Sequence, residues 1–149
     1  MGLNPDFVGR TYSAAEPYLV GREKVREFAS AIGDDAVLSH DPAAARAAGF
    51  ADVVAPPTFA FAITPRAMGQ AMFDPALGLD YSRVVHGEQR FSYSRPIVAG
   101  DELAVTATIE GIRSVAGNDM LTTKGVITTV AGEPVATATS MLLARGADA

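Results

Sequence analysis

A chain of 149 residues, 48% hydrophobic and 19% charged, with a net charge of −5, has room for one domain with a sizeable core and is too apolar to stay disordered. Its 12 basic residues, set against 17 acidic ones and nowhere clustered, cannot neutralise a phosphate backbone, which excludes a nucleic-acid binder. The absence of cysteine removes disulfides, thiolate metal sites and a cysteine nucleophile, and fits a reducing, cytoplasmic setting.

The opening MGLNPDF has neither the basic start nor the apolar block of a signal peptide. The longest apolar stretch, VVAPPTFAFAIT, is cut by Pro56 and Pro57 and is too short to span a bilayer, so no membrane role is expected. In GREKVREFASAIG, Val25, Phe28, Ala29 and Ile32 recur at helical spacing, and Gly33 stands where a glycine cap closes a helix. Next comes GDDAVLSHDPAAARAAGF, which gathers Asp34, Asp35, His40 and Asp41 into a few positions, either an acid–base loop or a loop that only looks like one. Within it Asp41 is an N-cap, Pro42 the first helical residue and Gly49 the stop of a short helix.

PPTFAFAITPRAMGQAMF starts at a proline pair, has Thr58 as a cap and is apolar on nearly all sides, the mark of one buried helix. It is expected to bury Phe59, Phe61, Ile63, Met68, Met72 and Phe73. From His86 onward the pattern changes to alternating, β-branched runs: GEQRFSYSRPIV, ELAVTATIEGIRSV, MLTTKGVITTV and VATATSMLLA. AGD, AGND and AGEP between them read as hairpin turns, giving an antiparallel meander. A buried helix and such a sheet must cover each other, so the expected class is α+β, in one domain over residues 1–149. The C-terminal GADA is expected to fray.

The strings AIGDDAVLSHDPAAARAAGFADVVAPPTF and HGEQRFSYSRPIVAGD resemble the MaoC-like hydratases and dehydratases, in the N-terminal dehydratase-domain branch that includes small subunits of (3R)-hydroxyacyl-thioester dehydratases. The resemblance implies a hotdog fold, an antiparallel sheet wrapped around a long central helix. It also implies a homodimer or a heterodimer with a catalytic MaoC-like hotdog chain, acyl-CoA or acyl carrier protein thioesters as ligands, and no cofactor or metal. Active members carry G-D-x-N-P-L-H-x-D and then H-G-M. There an aspartate and a histidine share the water that adds to the enoyl double bond, and a glycine N–H meets the thioester oxygen.

Laid on that pattern, Gly33, Asp34 and Asp41 match, but Ser39 takes the histidine position and His40 falls one residue late. Where H-G-M would stand the chain has Pro56, Pro57 and Thr58, and proline has no N–H to offer. Asp34 and His40 are therefore catalytic candidates only if the loop is re-registered. Without that, Asp34 turns the loop and His40 faces solvent or caps a helix.

The resemblance further implies Pro57, Thr58, Phe59, His86, Gly87, Arg90 and Arg95 as substrate-binding positions. His86 reads either as a group at the pocket mouth or as a strand-end histidine. Arg83, Arg90 and Arg95 are the basic residues nearest a nucleotide or phosphopantetheine phosphate, and Gly100 and Asp101 shape a turn. Three functions stay open: a substrate-binding subunit of a heteromeric dehydratase or hydratase, a self-sufficient hydratase using Asp34 and His40, and an acyl-thioester binding module without activity. A thioesterase fits less well, since the helix segment has no carboxylate before Asp74.

Overall fold

A computed structural model describes residues 2–146. The GADA terminus, from residue 147 on, lies outside them. Two short strands, β1 (Thr11–Ser13) and β2 (Tyr18–Leu19), precede three helices, α1 (Arg22–Ala31), α2 (Val37–His40) and α3 (Pro42–Ala47). A 3₁₀ turn (Phe59–Ala62) and α4 (Pro65–Met72) follow, and then the long strands β3 (Val84–Tyr93), β4 (Glu102–Val115), β5 (Asn118–Thr129) and β6 (Pro134–Ala144). All pairings are antiparallel, in the order β1-β4-β5-β6-β3, with β2 also on β4.

The meander thus covers β4, β5 and β6 only. At the β4–β5 turn Ala116 and Gly117 both take positive φ, 50° and 79°, the geometry whose twist matches two paired strands. The expected hairpin at AGD is absent. The chain leaves β3 at one edge of the sheet and enters β4 at the far side of β5 and β6, because the RPIVAGD segment has other partners. Ala55 N–H donates to the Ile97 carbonyl at 2.8 Å, Ala99 N–H to Val53 at 3.0 Å and Gly100 N–H to Val20 at 2.8 Å. Strand β3 instead closes the sheet against β6, and its other edge is unpaired among the described residues.

The single buried helix expected over residues 57–73 is two pieces. Pro65 has no N–H for the ladder, so the first turn ends as a 3₁₀ segment and a new helix starts with Pro65 in its first turn. Phe59 and Ile63 are fully buried, as expected, along with Ala67 and Ala71, and Met68 and Met72 are buried as well, with a little exposure left. Phe61 and Phe73 are not: 43% and 73% exposed, they lie on the outer side of a layer that packs on the sheet with one face. Ile32, at 51%, likewise lies outside the buried stripe of α1, which consists of Val25 and Ala29.

The helical layer sits on a floor of very small residues. Register aligns Ala107 of β4 with Gly125 of β5, and Gly125 with Ala138 of β6, so three neighbouring strands present almost no side chain along one row. Thr64 descends onto it, and a Cβ at Gly125 would stand 2.8 Å from Thr64 Cγ2. Overpacking of this kind costs roughly 1–3 kcal/mol. Gly125→Ala is therefore expected to lower stability by about that amount in urea unfolding, and the combined Gly125→Ala, Thr64→Ser variant to recover part of it. Equal midpoints for wild type and Gly125→Ala would contradict this packing.

Candidate functional site

The acid–base loop is a helical turn, not an extended segment. Asp34 Oδ1 accepts from Ala36 N–H at 2.9 Å, opening the turn into α2. At its far end His40 Nε2 hydrogen-bonds the Asp34 backbone carbonyl at 2.7 Å. The imidazole thus meets the main chain of Asp34 while the carboxylate is engaged at Ala36. Ser39 is 4% exposed and donates to the Val54 carbonyl at 2.7 Å, while Val54 N–H donates to Leu38 at 2.8 Å. The Ser39 side chain, which the resemblance sets at the family's histidine position, is therefore spent on docking α2 against residue 54. Asp41 caps α3 through Ala43 and Ala44 N–H, at 2.8 and 3.3 Å.

Asp52 holds this region to α1. Arg22 reaches it with two bonds of 2.9 and 2.6 Å, Arg46 adds one at 3.4 Å, and Val53 N–H donates at 2.8 Å. The Arg22 bond first, and the Val53 N–H second, hold the Asp52 carboxyl well below the usual carboxylate range, and Asp52 in turn raises Arg22.

At the proline pair, Pro57 and Thr58 are exposed. The Tyr93 hydroxyl, pushed above its ordinary range by burial, donates to the Pro57 carbonyl. Residue 57 therefore offers no N–H, and its carbonyl is taken. Phe59, expected beside the ligand, is a core residue instead: its ring lies edge-on to Phe28 at 5.2 Å and to Tyr18 at 6.4 Å.

A cavity of about 150 Å³ lies between α4 and the sheet. Met68 and Met72 form its helical wall and Ala107, Gly125 and Ala138 its floor, with Thr123, Ser140 and Leu142 alongside. At its mouth stand Phe61, edge-on to His86 at 5.4 Å, and Phe73, tilted against Tyr81 at 5.6 Å. His86 thus lies within β3 and borders the cavity, not merely at a strand end. Gly87 occupies the bulge of β3 and faces Met141.

The arginines lie elsewhere. Arg90 is exposed and paired with Glu88. Arg95 is committed to Asp101 at 2.8 and 3.1 Å and to Glu133 at 3.0 Å, tying the crossing segment to the β5–β6 turn. Arg83 donates to the Gly146 carbonyl. The structure thus brings His86 to the cavity, while none of Asp34, His40, Pro57, Thr58, Phe59, Arg90 and Arg95 lines it. Among the described residues no three His, Asp or Glu side chains gather as a metal site, and no helix is long and apolar enough to cross a membrane.

Residues 6–138 match the family model for the FAS1-like dehydratase domain region. This chain belongs to the FAS1-like dehydratase-region family of MaoC-like hotdog proteins. A UPF0336 protein of Streptomyces avermitilis is 58% identical to it over 99% of both chains. Among solved structures, a MaoC-like dehydratase superposes with a TM-score of 0.84 at 42% identity, over 95% of this chain and 43% of that one, so the chain spans less than half of that protein. The HadBC (3R)-hydroxyacyl-ACP dehydratase complex from Mycobacterium tuberculosis gives a TM-score of 0.84 at 29% identity, over 95% of this chain and 99% of that one. The α+β hotdog class is thus shown, with a central helix shorter than the resemblance implies.

The sequence points to the loops, the helical segment as one wall of an acyl tunnel, and the strand from His86 to Arg90 as the site of this hotdog chain, but not to the sheet floor. The signal was one small residue at an inward alternate position of each run, Ala107 in VTATI, Gly125 in TTKGV and Ala138 in VATATS. It reads as ordinary alternation until register sets Ala107, Gly125 and Ala138 side by side. The Asp52 cluster carries a pH dependence of definite sign. A carboxyl depressed in the folded state contributes stability that is complete above its ordinary value of 3.8 and is lost as pH falls toward the depressed value. Wild-type stability should therefore decline below about pH 4, and Asp52→Asn should flatten that decline in acid denaturation followed by circular dichroism. Identical acid slopes for the two proteins would show that Arg22 and Asp52 do not hold the loop.

Proposed function

We propose that this chain is the acyl-thioester-binding subunit of a (3R)-hydroxyacyl-thioester dehydratase or (R)-enoyl hydratase, and that a catalytic hotdog partner supplies the aspartate, the histidine and the glycine N–H. One observation carries the reading: the family's imidazole position holds Ser39, buried and bonded to the Val54 carbonyl. Pro57 supports it, because no shift of the chain gives proline an N–H. His40 cannot replace the missing imidazole from where it stands, since Nε2 is bonded to a main-chain carbonyl and the ring lies outside the cavity lining.

What the chain retains is a place for a ligand. The cavity is mostly apolar, flexible on its methionine side and open beside the unpaired edge of β3. The exposed Phe61, Phe73, Tyr81 and Val85 cluster around that edge, where a second hotdog chain would cover them. The HadBC complex, itself an assembly of hotdog chains, supports a partner of this kind. The cytoplasm, where such thioesters are made and used, is the proposed location.

Two outcomes test the reading. In sedimentation the purified chain should pair with itself when its partner is withheld, because the β3 edge remains open. Monomer alone at micromolar concentration would count against the edge as an interface. In the paired assembly, His40→Ala and Asp34→Asn should leave enoyl-thioester hydration within a few-fold of wild type, whereas loss of a positioned general base costs about 10²–10⁴. A loss of that size on His40→Ala would assign the chemistry to this chain and make it a self-sufficient hydratase.

A further inference from the structure

The cavity floor carries a polar row that packing alone does not require. Register sets Thr123 of β5 beside Ser140 of β6, and Ser140 beside Gln89 of β3, so three polar side chains run from the middle of the sheet to its open edge. Ser140 Oγ donates to Gln89 Oε1 at 2.6 Å and keeps its lone pairs for another donor. Thr123 is 6% exposed and lines the cavity. Its hydroxyl has no protein partner among the described residues. No fully enclosed side-chain oxygen or nitrogen among them is left unbonded, so the Thr123 hydroxyl keeps access to the cavity it lines. Thr64, the other buried threonine of the cavity, differs: its hydroxyl is satisfied by the Ala60 carbonyl at 3.2 Å.

A hydroxyl largely withdrawn from bulk water calls for a partner, whether water or ligand. Valine has the same shape, favours strands as strongly and would leave no such debt. A wholly apolar cavity of this size stays dry and takes a group about as large as benzene, so the volume admits roughly six carbons. Among the described residues Thr123 is the buried lining residue whose hydroxyl has no protein partner, and it selects for something more than hydrocarbon.

We propose that Thr123 is a specificity-determining residue, and that the cavity accepts an acyl chain bearing a hydroxyl or oxo group beyond the carbon that is hydrated, with Thr123 Oγ as its hydrogen-bond partner and Ser140 beside it. This rests on the reading of the cavity as the acyl site. Thr123 can donate to an oxo group or accept from a hydroxyl, so one residue serves both substituents. The position of the oxygen along the chain is set by Thr123's place in the floor, between the methionine wall and Leu142.

The test is equilibrium binding of pantetheine thioesters to the full chain: plain octanoyl, and octanoyl bearing one hydroxyl at each carbon beyond the third. One hydroxylated isomer should bind about tenfold more tightly than the plain chain, the scale of one well-made hydrogen bond. Thr123→Val should abolish that preference, so that no isomer binds this variant more tightly than plain octanoyl does, and Thr123→Ser should keep it. Thr123→Ala serves as the second apolar variant if Thr123→Val does not fold, with the same expectation. If plain octanoyl binds and no isomer is preferred, or the preference survives the apolar variants, the partner of Thr123 is water and the inference fails while the acyl reading stands. If no thioester binds at all, both fall.

Discussion

The approach of Thr64 to Gly125 fixes how far the helical layer stands from the sheet. A glycine in the middle of a strand weakens it, losing side-chain contacts and costing backbone entropy. Here it gives the start of α4 a seat, with Ala107 and Ala138 continuing the same bare row on either side. Pro65 follows the seated residue and starts the helix afresh, so the layer bends where it touches the sheet. Beyond the contact the helix stands clear of a floor with few side chains, and the space between them is the cavity. Packing and cavity thus have one cause, and a larger residue at any of these three floor positions would strain one and fill the other.

The loops around this core are fastened by hydrogen bonds in the stretches that the resemblance sets against the family's catalytic pattern. Ser39 holds α2 to Val54, Tyr93 holds the Pro57 carbonyl, and the Asp34 main chain holds His40. Each is a local bond of the kind worth about 0.5–1.5 kcal/mol to a fold. Together they give the acid–base region the rigidity of a scaffold and leave it without a free imidazole or a spare N–H at the expected places. The cavity keeps its apolar walls and aromatic mouth. Retained binding surface beside a fastened catalytic loop is the physical content of the proposed subunit role.

Much of this was legible in the sequence, and the parts that were not share a reason. The Asp41–Pro42 start of α3, Val25 and Ala29 from the four-residue stripe expected for α1, and three of the four strands expected in the meander rest on local rules, and these parts stand. The short helix at Val37–His40 escaped notice because four residues carry no period, and its presence turns Ser39 inward and His40 back onto the chain. The pairing of β3 with β6 depends on partners far along the sequence, as does the role of Arg95, whose carboxylates lie at Asp101 and Glu133. The exposure of Phe61 and Phe73 follows from Pro65, a residue visible in the sequence whose break went unread. Thr123 and the alanine–glycine floor could not be singled out from one strand at a time, since only register makes a row of them.

The central claim is that the chain binds an enoyl thioester without turning it over. It is tested most directly by measuring both properties on one sample: equilibrium binding of octenoyl-pantetheine to the purified chain, and the rate of its hydration by the same chain at the same concentration. Saturable binding with hydration barely above the uncatalysed background is the predicted result. Saturable binding with hydration at an ordinary enzyme rate, about 1–10³ s⁻¹, would contradict it and place a complete acid–base pair in this chain.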